Sequence, residues 1–345
     1  MNCNEKPIIS IIMPAYNAGI FLQYAVDSIL NQTYKEWELL IVDDNSCDGT
    51  TNIINSYKDC RIKYFRNTEN KGPAYSRNLA IQYSIGKYIA IMDADDIAMP
   101  ERLEIQSVFL ENHLDIDVLG SKFLVIDKDG DVILSPFFYR QQTMDEVFVN
   151  TLFACPILHS SVMIRREFWI NNELSYNLEY PCNQDYELWS RVIFIGKMFI
   201  IPQCLVKYRI SEQQISRSKR DQQLALATKL RRALFLRLSL NLSNEELEVF
   251  NQIETGEISN ISMMEETLRK LLMIKYVGCD LKLLRRKVLN VMRKYMQKYS
   301  WPYRVLYFVN FQYRIGFFSG EETLHLLLPK ILIKILLQRA RFKIR

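Results

Sequence analysis

Three aspartates stand within four residues, Asp93, Asp95 and Asp96, directly after an apolar run. Carboxylates one residue apart at a strand end can hold a hard divalent cation that also ligates phosphate oxygens. Such an ion neutralises the charge that develops on a diphosphate leaving group. The alternative is that the aspartates cap the helix that begins near Pro100 and form Asx turns. Because capping does not require three mutually repelling acids, the sequence favours a metal site at Asp93 and Asp95.

A second acidic loop, residues 43–50, also follows an apolar run. Asp44 in this loop could accept a hydrogen bond from the N3–H of a uracil ring, and Tyr16 could stack on the ring face. The alternative is a helix N-terminus with Asx turns, which Ser46 and Asp48 would suit equally well. Because the loop shares its predicted sheet edge with the acidic trio, the sequence favours the nucleoside role.

The elements between these loops must bring them to one place. Short β-rich runs alternate with helical patterns through the first hundred residues, which predicts βαβ units and a mostly parallel sheet. In such open α/β sheets, ligands bind beyond the carboxyl ends of the strands. The sequence therefore predicts a Rossmann-like half. Its expected strands are Ile8–Met13, Glu38–Val42, Arg61–Phe65 and Tyr88–Met92, with helices at Ile20–Asn31, Asp48–Ser56 and Pro73–Ser84.

The middle of the chain continues with mixed patterns, and the end is helical. From Ser218 onward charged residues recur at helical spacing, which predicts two domains, residues 1–215 and residues 216–345. The first carries 19 Lys and Arg against 28 Asp and Glu, a net charge of −9, and the second carries 25 against 11, a net charge of +14. An acidic half suits metal binding, and a basic half suits phosphates or anionic lipid. Further expected elements are helices Pro100–Glu111 and Tyr186–Ile195, a hairpin of Val118–Ile126 with Val132–Leu134, and strands Ser161–Ile164, Met198–Ile201 and Leu205–Arg209.

These motifs together resemble glycosyltransferase family 2, whose inverting members have the fold called GT-A. The resemblance covers about residues 7–210, and the combination of segments is far more specific than any single one. The matching segments are Ser10–Asn17, Ser28–Thr33, Glu38–Ser46 with Asp48–Thr50, Asn70–Gly72 with Ser76–Asn78, and Asp93–Asp96.

The resemblance implies an enzyme that moves one sugar from a UDP-sugar or similar nucleotide sugar to an acceptor hydroxyl. It also implies inversion at the anomeric carbon, Mg²⁺ or Mn²⁺ on Asp93 and Asp95, and a role in cell-surface polysaccharide or glycolipid biosynthesis. The expected acceptor is a glycan or a lipid-linked glycan. The residues expected at the donor nucleotide are Pro14, Tyr16, Asn17, Asp44, Arg77 and Asp93.

The family also has an acidic pair ahead of a helix, which here corresponds to Gln184 and Asp185. By resemblance, Asp185 is the general base that takes the proton of the acceptor hydroxyl. Glutamine replaces the first acid, which affects the expected positioning of the acceptor. An alternative role for Asp185 is the N-cap of its helix, and a cap and a base are compatible.

Two further positions in the family pattern are open. The segment beginning at His159 resembles one near the acceptor side, although a lone histidine beside a strand is equally well a structural residue. Ser211 stands where relatives often carry a histidine, so we expect no third metal ligand there. Gln214–Arg217 is followed by Ser218, which leaves the processive Q-x-x-R-W signature incomplete and favours transfer of one sugar at a time.

Other functional classes fit the sequence less well. No G-x-G-x-x-G follows the first strand and no Walker loop is present, which disfavours a dinucleotide-dependent oxidoreductase and an ATPase. A non-catalytic nucleotide-sugar or glycan-binding relative would keep the fold and lose the acids. Asp44, Asp93, Asp95 and Asp185 are all present, so the sequence favours the enzyme.

The cysteines and the chain ends bear on location. Seven scattered cysteines without a C-x-x-C pair favour reduced thiols and a cytoplasmic protein. We expect no secretion signal and no membrane span. Lys330–Arg345 carries six basic residues and no acid, which suits peripheral contact with the anionic inner face of the cell membrane. The alternative is a helical appendage whose charges are simply solvated, and we expect no nucleic-acid partner.

Overall fold

The computed structural model describes residues 6–135, 141–210, 220–255, 259–276 and 279–296. The chain divides into two units, Met1–Leu230 and Arg231–Arg345. The predicted domain boundary after residue 215, Ser211 and the basic tail Lys330–Arg345 all lie outside the described residues.

The first four strands form the parallel part of the sheet. β1 (Ile9–Ala15), β2 (Trp37–Asp43), β3 (Ile62–Arg66) and β4 (Tyr88–Ile91) pair in the order β3-β2-β1-β4, every pair parallel. β2 and β4 are buried at every position, as expected for strands covered on both faces. The connections are the helices α1 (Gly19–Leu30), α2 (Thr50–Ser56) and α3 (Pro73–Tyr83). The predicted Rossmann-like half is therefore present.

The second part of the sheet mixes directions. β5 (Ile97–Ala98), β6 (Val118–Ile126), β7 (Val132–Leu134), β8 (Met163–Arg165) and β9 (Met198–Arg209) extend it to the order β3-β2-β1-β4-β8-β6-β9-β5, with β7 paired to β6. β8 runs antiparallel to both β4 and β6, whereas β6 and β9 are parallel. The predicted hairpin of β6 and β7 is present.

Several element boundaries differ from the sequence prediction. The two strands expected around residue 203 are one strand, β9, whose pairing with β6 shifts register on either side of Lys122. The shift explains the apparent break, because a β-bulge interrupts the regular alternation of side chains. The remaining helices of this unit before residue 211 are α4 (Arg102–Asn112), α5 (Met144–Thr151), α6 (Arg166–Asn171) and α7 (Gln184–Val192), with a 3₁₀ turn at His159–Ser161.

Helix α5 has no counterpart in the sequence prediction, although it carries a recognisable start signal. The Thr143 hydroxyl accepts from the backbone N–H of Glu146, and the Glu146 carboxylate accepts from the backbone N–H of Thr143. This reciprocal capping box satisfies two donors that a helix N-terminus leaves open.

The core of the first unit lies on both faces of the sheet. Ile9, Ile11 and Met13 of β1 belong to one apolar cluster, whereas Ile12 belongs to the cluster on the opposite face together with Leu40 of β2. The alternation follows from the two-residue repeat of a strand. The polar loops at the strand ends are thus held by a sheet packed from both sides.

The described part of the second unit is helical. The helix α8 (Arg220–Arg237) contains the division between the units, and α9 (Asn244–Thr255), α10 (Ile261–Leu271) and α11 (Leu281–Met296) follow it. Lys270 of α10 forms an ion pair with Glu246 of α9. Among the helices that the structure describes, none is long and apolar enough to cross a bilayer.

The cysteines depart from the sequence expectation at one position. Cys60 is disulfide-bonded, so the prediction that all the thiols are reduced is wrong there. Among the described residues, Cys47 is an exposed free cysteine and Cys204 is a partly buried one.

Candidate functional site

The loop after β1 is joined to the loop after β2. Asn17, in the left-handed region with φ 47°, donates its backbone N–H to Ser46 Oγ at 2.9 Å and accepts from the Cys47 N–H at 3.0 Å. Pro14 lies inside β1, and the Tyr16 side chain beyond the strand is 52% exposed. The three residues predicted on this loop therefore lie at the carboxyl edge of the sheet, with an exposed ring at Tyr16.

Asp44 is almost completely buried, with 2% of its surface exposed. Its Oδ1 accepts from Asn67 Nδ2 at 2.7 Å and from the Lys71 N–H at 2.8 Å, and its Oδ2 accepts from the Gly72 N–H at 2.7 Å. The carboxylate thus ties the loop after β2 to the segment that leads into α3. An ionised carboxylate has about four acceptor positions, so these three bonds leave capacity for one further donor.

The Asx turns of this loop belong to neighbours of Asp44. Asp43 Oδ1 accepts from the Ser46 N–H at 2.8 Å, and Asp48 Oδ1 accepts from the Thr50 N–H at 3.0 Å. The turn-forming role considered for Asp44 is therefore carried by Asp43 and Asp48.

Both carboxylate oxygens of Asp93 are held by the protein. Arg77 Nη2 donates to Oδ1 at 2.5 Å and Ser160 Oγ donates to Oδ2 at 3.0 Å. The Arg77 side chain is 5% exposed and that of Asp93 is 29% exposed, so the arginine of this ion pair is buried and the carboxylate is partly exposed. Burial would raise the pKa of Asp93, but the guanidinium of Arg77 and the hydrogen bonds hold this pKa below its ordinary value.

Asp96, the third acid of the trio, is fully buried. Its Oδ1 accepts from the backbone N–H of Arg209 at 2.9 Å, and the Arg209 Nε donates to the backbone carbonyl of Asp95 at 2.9 Å. Burial, followed by the charges of Asp95 and Asp93, raises the pKa of Asp96 well above its ordinary value. A raised pKa favours the protonated, uncharged form of Asp96, so the negative charge of the trio lies mainly on Asp93 and Asp95.

The aspartates do not cap the following helix. The strand β5 intervenes, α4 begins at Arg102, and its N-cap is Glu101, which makes no side-chain capping bond. The capping alternative for Asp93 and Asp95 is therefore wrong.

The residues around Asp93 and Asp95 fit a divalent cation only in part. Within the described ranges, no three His, Cys, Asp or Glu side chains gather closely enough to hold a metal ion. Mg²⁺ is commonly held by one or two carboxylates while water and substrate phosphates complete the shell. Asp93 and Asp95 supply two hard carboxylate ligands, which is the number that this mode of binding requires.

Asp185 lies inside the first turn of α7, because the helix begins at Gln184 and its N-cap is Asn183. The alternative role of Asp185 as the N-cap is therefore wrong, and its role as the base stays a prediction. Its Oδ1 accepts from the Tyr186 N–H at 2.8 Å, and the Cys155 thiol donates to its Oδ2 at 3.6 Å. Burial raises the pKa of Asp185, and the charge of Arg77 partly offsets this effect.

His159 has a structural role in this arrangement. The imidazole is 6% exposed, and its Nε2 hydrogen-bonds the hydroxyl of Tyr176 at 2.9 Å. Burial, with a further contribution from Arg77, lowers the pKa of His159 to about 3. The ring is therefore neutral at physiological pH and does not serve as a proton acceptor on the surface.

Sequence reasoning missed two residues that shape the site, Ser160 and Tyr176. Ser160 follows His159 in the segment that resembles the family pattern near the acceptor side, and this resemblance could have pointed to its hydroxyl. Tyr176 lies in a stretch without regular structure between α6 and α7, and nothing in its sequence context points to the site.

The comparisons with known proteins identify the family of the chain. The family model "Glycosyl transferase family 2" matches residues 10–169. An uncharacterised glycosyltransferase of Haemophilus influenzae is 30% identical over 292 residues, covering 81% of this chain and 88% of the relative. UDP-Glc:alpha-D-GlcNAc-diphosphoundecaprenol beta-1,3-glucosyltransferase WfgD of Escherichia coli is 33% identical over 216 residues, covering 61% of this chain and 81% of the relative.

A solved structure shares the fold. The structure of S. aureus TarS residues 1–349 in complex with UDP-GlcNAc superposes with a TM-score of 0.58 at 16% identity, covering 90% of this chain and 93% of the solved chain. This likeness confirms the predicted fold class. The family model and the relative from Haemophilus influenzae lead to one conclusion: the chain belongs to glycosyltransferase family 2.

Proposed function

We propose that this chain transfers one sugar from a UDP-sugar to an acceptor hydroxyl with inversion at the anomeric carbon. The proposal rests on the position of Arg77, which lies beside Asp93. Its guanidinium pairs with Asp93 at 2.5 Å, and its charge also acts on Asp185. Arg77 therefore contacts the acid proposed for the donor, and its charge lowers the pKa of the acid proposed as the base.

The donor side of the proposal rests on the first two loops. The exposed ring of Tyr16 is available to stack on a base, and Asp44 keeps one acceptor position for the N3–H of uracil. Asn17 joins the two loops through hydrogen bonds. The names of two similar proteins support a uridine donor, since WfgD is named for UDP-Glc and TarS was solved with UDP-GlcNAc.

The metal belongs to the proposal as well. Asp93 and Asp95 are the residues that would hold Mg²⁺ or Mn²⁺, with the donor phosphates as further ligands. A divalent ion there supplies positive charge opposite the diphosphate leaving group. The guanidinium of Arg77 lowers the pKa of Asp93, which favours the ionised carboxylate that a metal ligand must be.

Asp185 supplies the base in the proposed step. Its Oδ2 takes the proton of the acceptor hydroxyl while the acceptor oxygen forms a bond to the anomeric carbon. The bond between that carbon and the diphosphate oxygen breaks, and its electron pair leaves with the nucleoside diphosphate. Attack from the face opposite the leaving group inverts the configuration.

Donor hydrolysis by the purified full-length chain tests the donor and the metal together. We expect UDP-sugars to be hydrolysed in preference to GDP- and dTDP-sugars, and excess EDTA to abolish the activity. Asp95→Asn should lose hydrolysis and transfer while its circular dichroism spectrum stays unchanged. Asp115→Asn, at an exposed position outside the proposed site, is the control and should keep full activity. Unchanged turnover in EDTA and in Asp95→Asn would overturn the metal assignment.

The acceptor proposal is a lipid-linked glycan at the inner face of the cell membrane. WfgD is named for a diphosphoundecaprenol-linked acceptor. Residues 216–345 of this chain carry a net charge of +14, and α11 has six basic residues and no acid. Each basic residue close to an anionic surface contributes about 1 kcal/mol of attraction, which would bring the enzyme to such an acceptor.

A further inference from the structure

The backbone of Tyr176 is clamped to helix α3. Its N–H donates to Asn78 Oδ1 at 2.9 Å, and its carbonyl accepts from Asn78 Nδ2 at 2.9 Å. These reciprocal bonds join residues 98 positions apart in the chain. Tyr176 itself is 2% exposed. The clamp therefore fixes an otherwise irregular segment against the helix that also carries Arg77.

The side chain of Tyr176 reaches two groups beside the donor carboxylate. Its hydroxyl hydrogen-bonds His159 Nε2 at 2.9 Å, and its ring centroid lies 5.6 Å from the guanidinium carbon of Arg77. Among the described residues, no hydrogen-bond partner is found for His159 Nδ1. The orientation of the imidazole therefore depends on the tyrosine hydroxyl.

Both groups lead to Asp93. Ser160, the residue after His159, donates its hydroxyl to Asp93 Oδ2 at 3.0 Å, and Arg77 donates to Oδ1 at 2.5 Å. A closed ring of contacts thus runs from one oxygen of Asp93 through Arg77, Tyr176, His159 and Ser160 to the other oxygen. Tyr176 is the member of this ring that contacts both arms.

We infer that Tyr176 is a positioning residue for the donor site. It orients the Asp93 carboxylate through His159 and Ser160 on one side and through Arg77 on the other. The inference rests on the proposed function, in which Asp93 binds the donor and its metal ion.

A role confined to core packing does not account for the hydroxyl. The ring of Tyr176 packs near Trp169, and phenylalanine would fill the same space. A hydroxyl in a buried environment is costly unless it makes a hydrogen bond. Here the Tyr176 hydroxyl bonds the imidazole of His159, the residue before Ser160. The hydroxyl therefore positions the Asp93 carboxylate, which Ser160 contacts.

Tyr176→Phe separates the two roles, because it keeps the ring and removes only the oxygen. We expect the donor KM and the Kd of UDP with Mn²⁺ to rise about threefold to tenfold, since one hydrogen bond corresponds to roughly that factor. The KM of the acceptor should stay unchanged. The control is Tyr88→Phe, which removes a hydroxyl that donates to Glu111 at 2.8 Å. Tyr88 lies at the amino end of β4, whereas Asp93 follows the carboxyl end of this strand. This control should bind UDP as the wild type does.

A second pair of variants tests the path through the imidazole. His159→Gln keeps a side chain able to hydrogen-bond the tyrosine hydroxyl, whereas His159→Leu does not. We expect His159→Gln to retain most of the donor affinity and His159→Leu to lose it to the same extent as Tyr176→Phe. Both variants are compared by calorimetry with UDP and Mn²⁺ after their melting temperatures have been measured.

The outcomes distinguish this inference from the proposed function. Wild-type UDP affinity in Tyr176→Phe and in His159→Leu would overturn the positioning role and leave the proposed function intact. An equal loss of affinity in Tyr176→Phe and Tyr88→Phe would also overturn it, because the effect would then follow from stability alone. Wild-type UDP binding by Asp93→Asn would instead refute the donor role of Asp93, and with it both proposals.

Discussion

Substituting asparagine for Asp44 changes one carboxylate oxygen into an NH₂ group and leaves the shape of the side chain almost unchanged. Oδ1 accepts from Asn67 and from the Lys71 N–H, and Oδ2 accepts from the Gly72 N–H. In either orientation of the amide, the new NH₂ group therefore faces at least one donor. The less harmful orientation places the NH₂ group against Gly72, where only one bond is lost.

The magnitude follows from that single bond. A hydrogen bond to a charged group contributes about 1.5–3 kcal/mol, and a buried donor left without a partner costs about 1–3 kcal/mol. We expect Asp44→Asn to lower the free energy of unfolding by roughly 3 kcal/mol. For a domain of this size the melting temperature falls by about 2–4 °C for each kcal/mol, so the expected fall is about 6–12 °C. UDP affinity should fall as well, because the remaining acceptor position is disturbed.

Thermal and urea unfolding of the full-length chain, with calorimetry for UDP, measure the two effects. Asp48→Asn is the matched control in the same loop, since Asp48 accepts from the Thr50 backbone and hydroxyl through one oxygen only. Asparagine serves as well as aspartate in such a role, so this variant should melt close to the wild type. Equal melting temperatures for Asp44→Asn and Asp48→Asn would refute the argument that Asp44 joins the two loops.

Three further predictions concern the base, the sheet and the tail. Asp185→Asn should lower transfer by about 10²–10⁴-fold and keep UDP affinity. Burial raises the pKa of Asp185 above its unfolded value of 3.8, so ionising this carboxyl destabilises the folded state as the pH rises through the raised pKa. Asp185→Asn should therefore melt no lower than the wild type at pH 7. A large fall in melting temperature would contradict this. Gly120→Ala should lower the free energy of unfolding in urea by about 1–3 kcal/mol, because the added Cβ would lie 2.2 Å from Ile157 Cδ1. A wild-type unfolding midpoint would disprove this contact. Truncation before Leu326 should weaken the salt-sensitive sedimentation of the protein with anionic liposomes and leave donor hydrolysis unchanged. Equal sedimentation of the truncated and the full-length chain at low salt would refute the membrane role.

Much of the Rossmann-like half could be predicted because its sequence signals are local. Apolar runs ended by polar loops mark β1, β2 and β4, and parallel strands bring their carboxyl ends to one edge. The acidic residues at that edge could therefore be named in advance. The antiparallel placement of β8 and the continuity of β9 were not predictable, since pairing direction depends on partners distant in the chain and a bulge hides the two-residue repeat.

The sequence by itself determined which side chains stand at the edge of the sheet, because residue type and strand periodicity are written along the chain. Only the tertiary structure decided what those side chains touch. Asp44 meets Gly72, and Asp93 meets both Arg77 and Ser160, across separations of 28, 16 and 67 residues. Contacts at such separations depend on topology and on how side chains pack between elements, and no local pattern carries that information. For the same reason, the sequence could not show that Tyr176 lies near Asp93, because that proximity arises only when α3 and the turn at His159 come together in the fold.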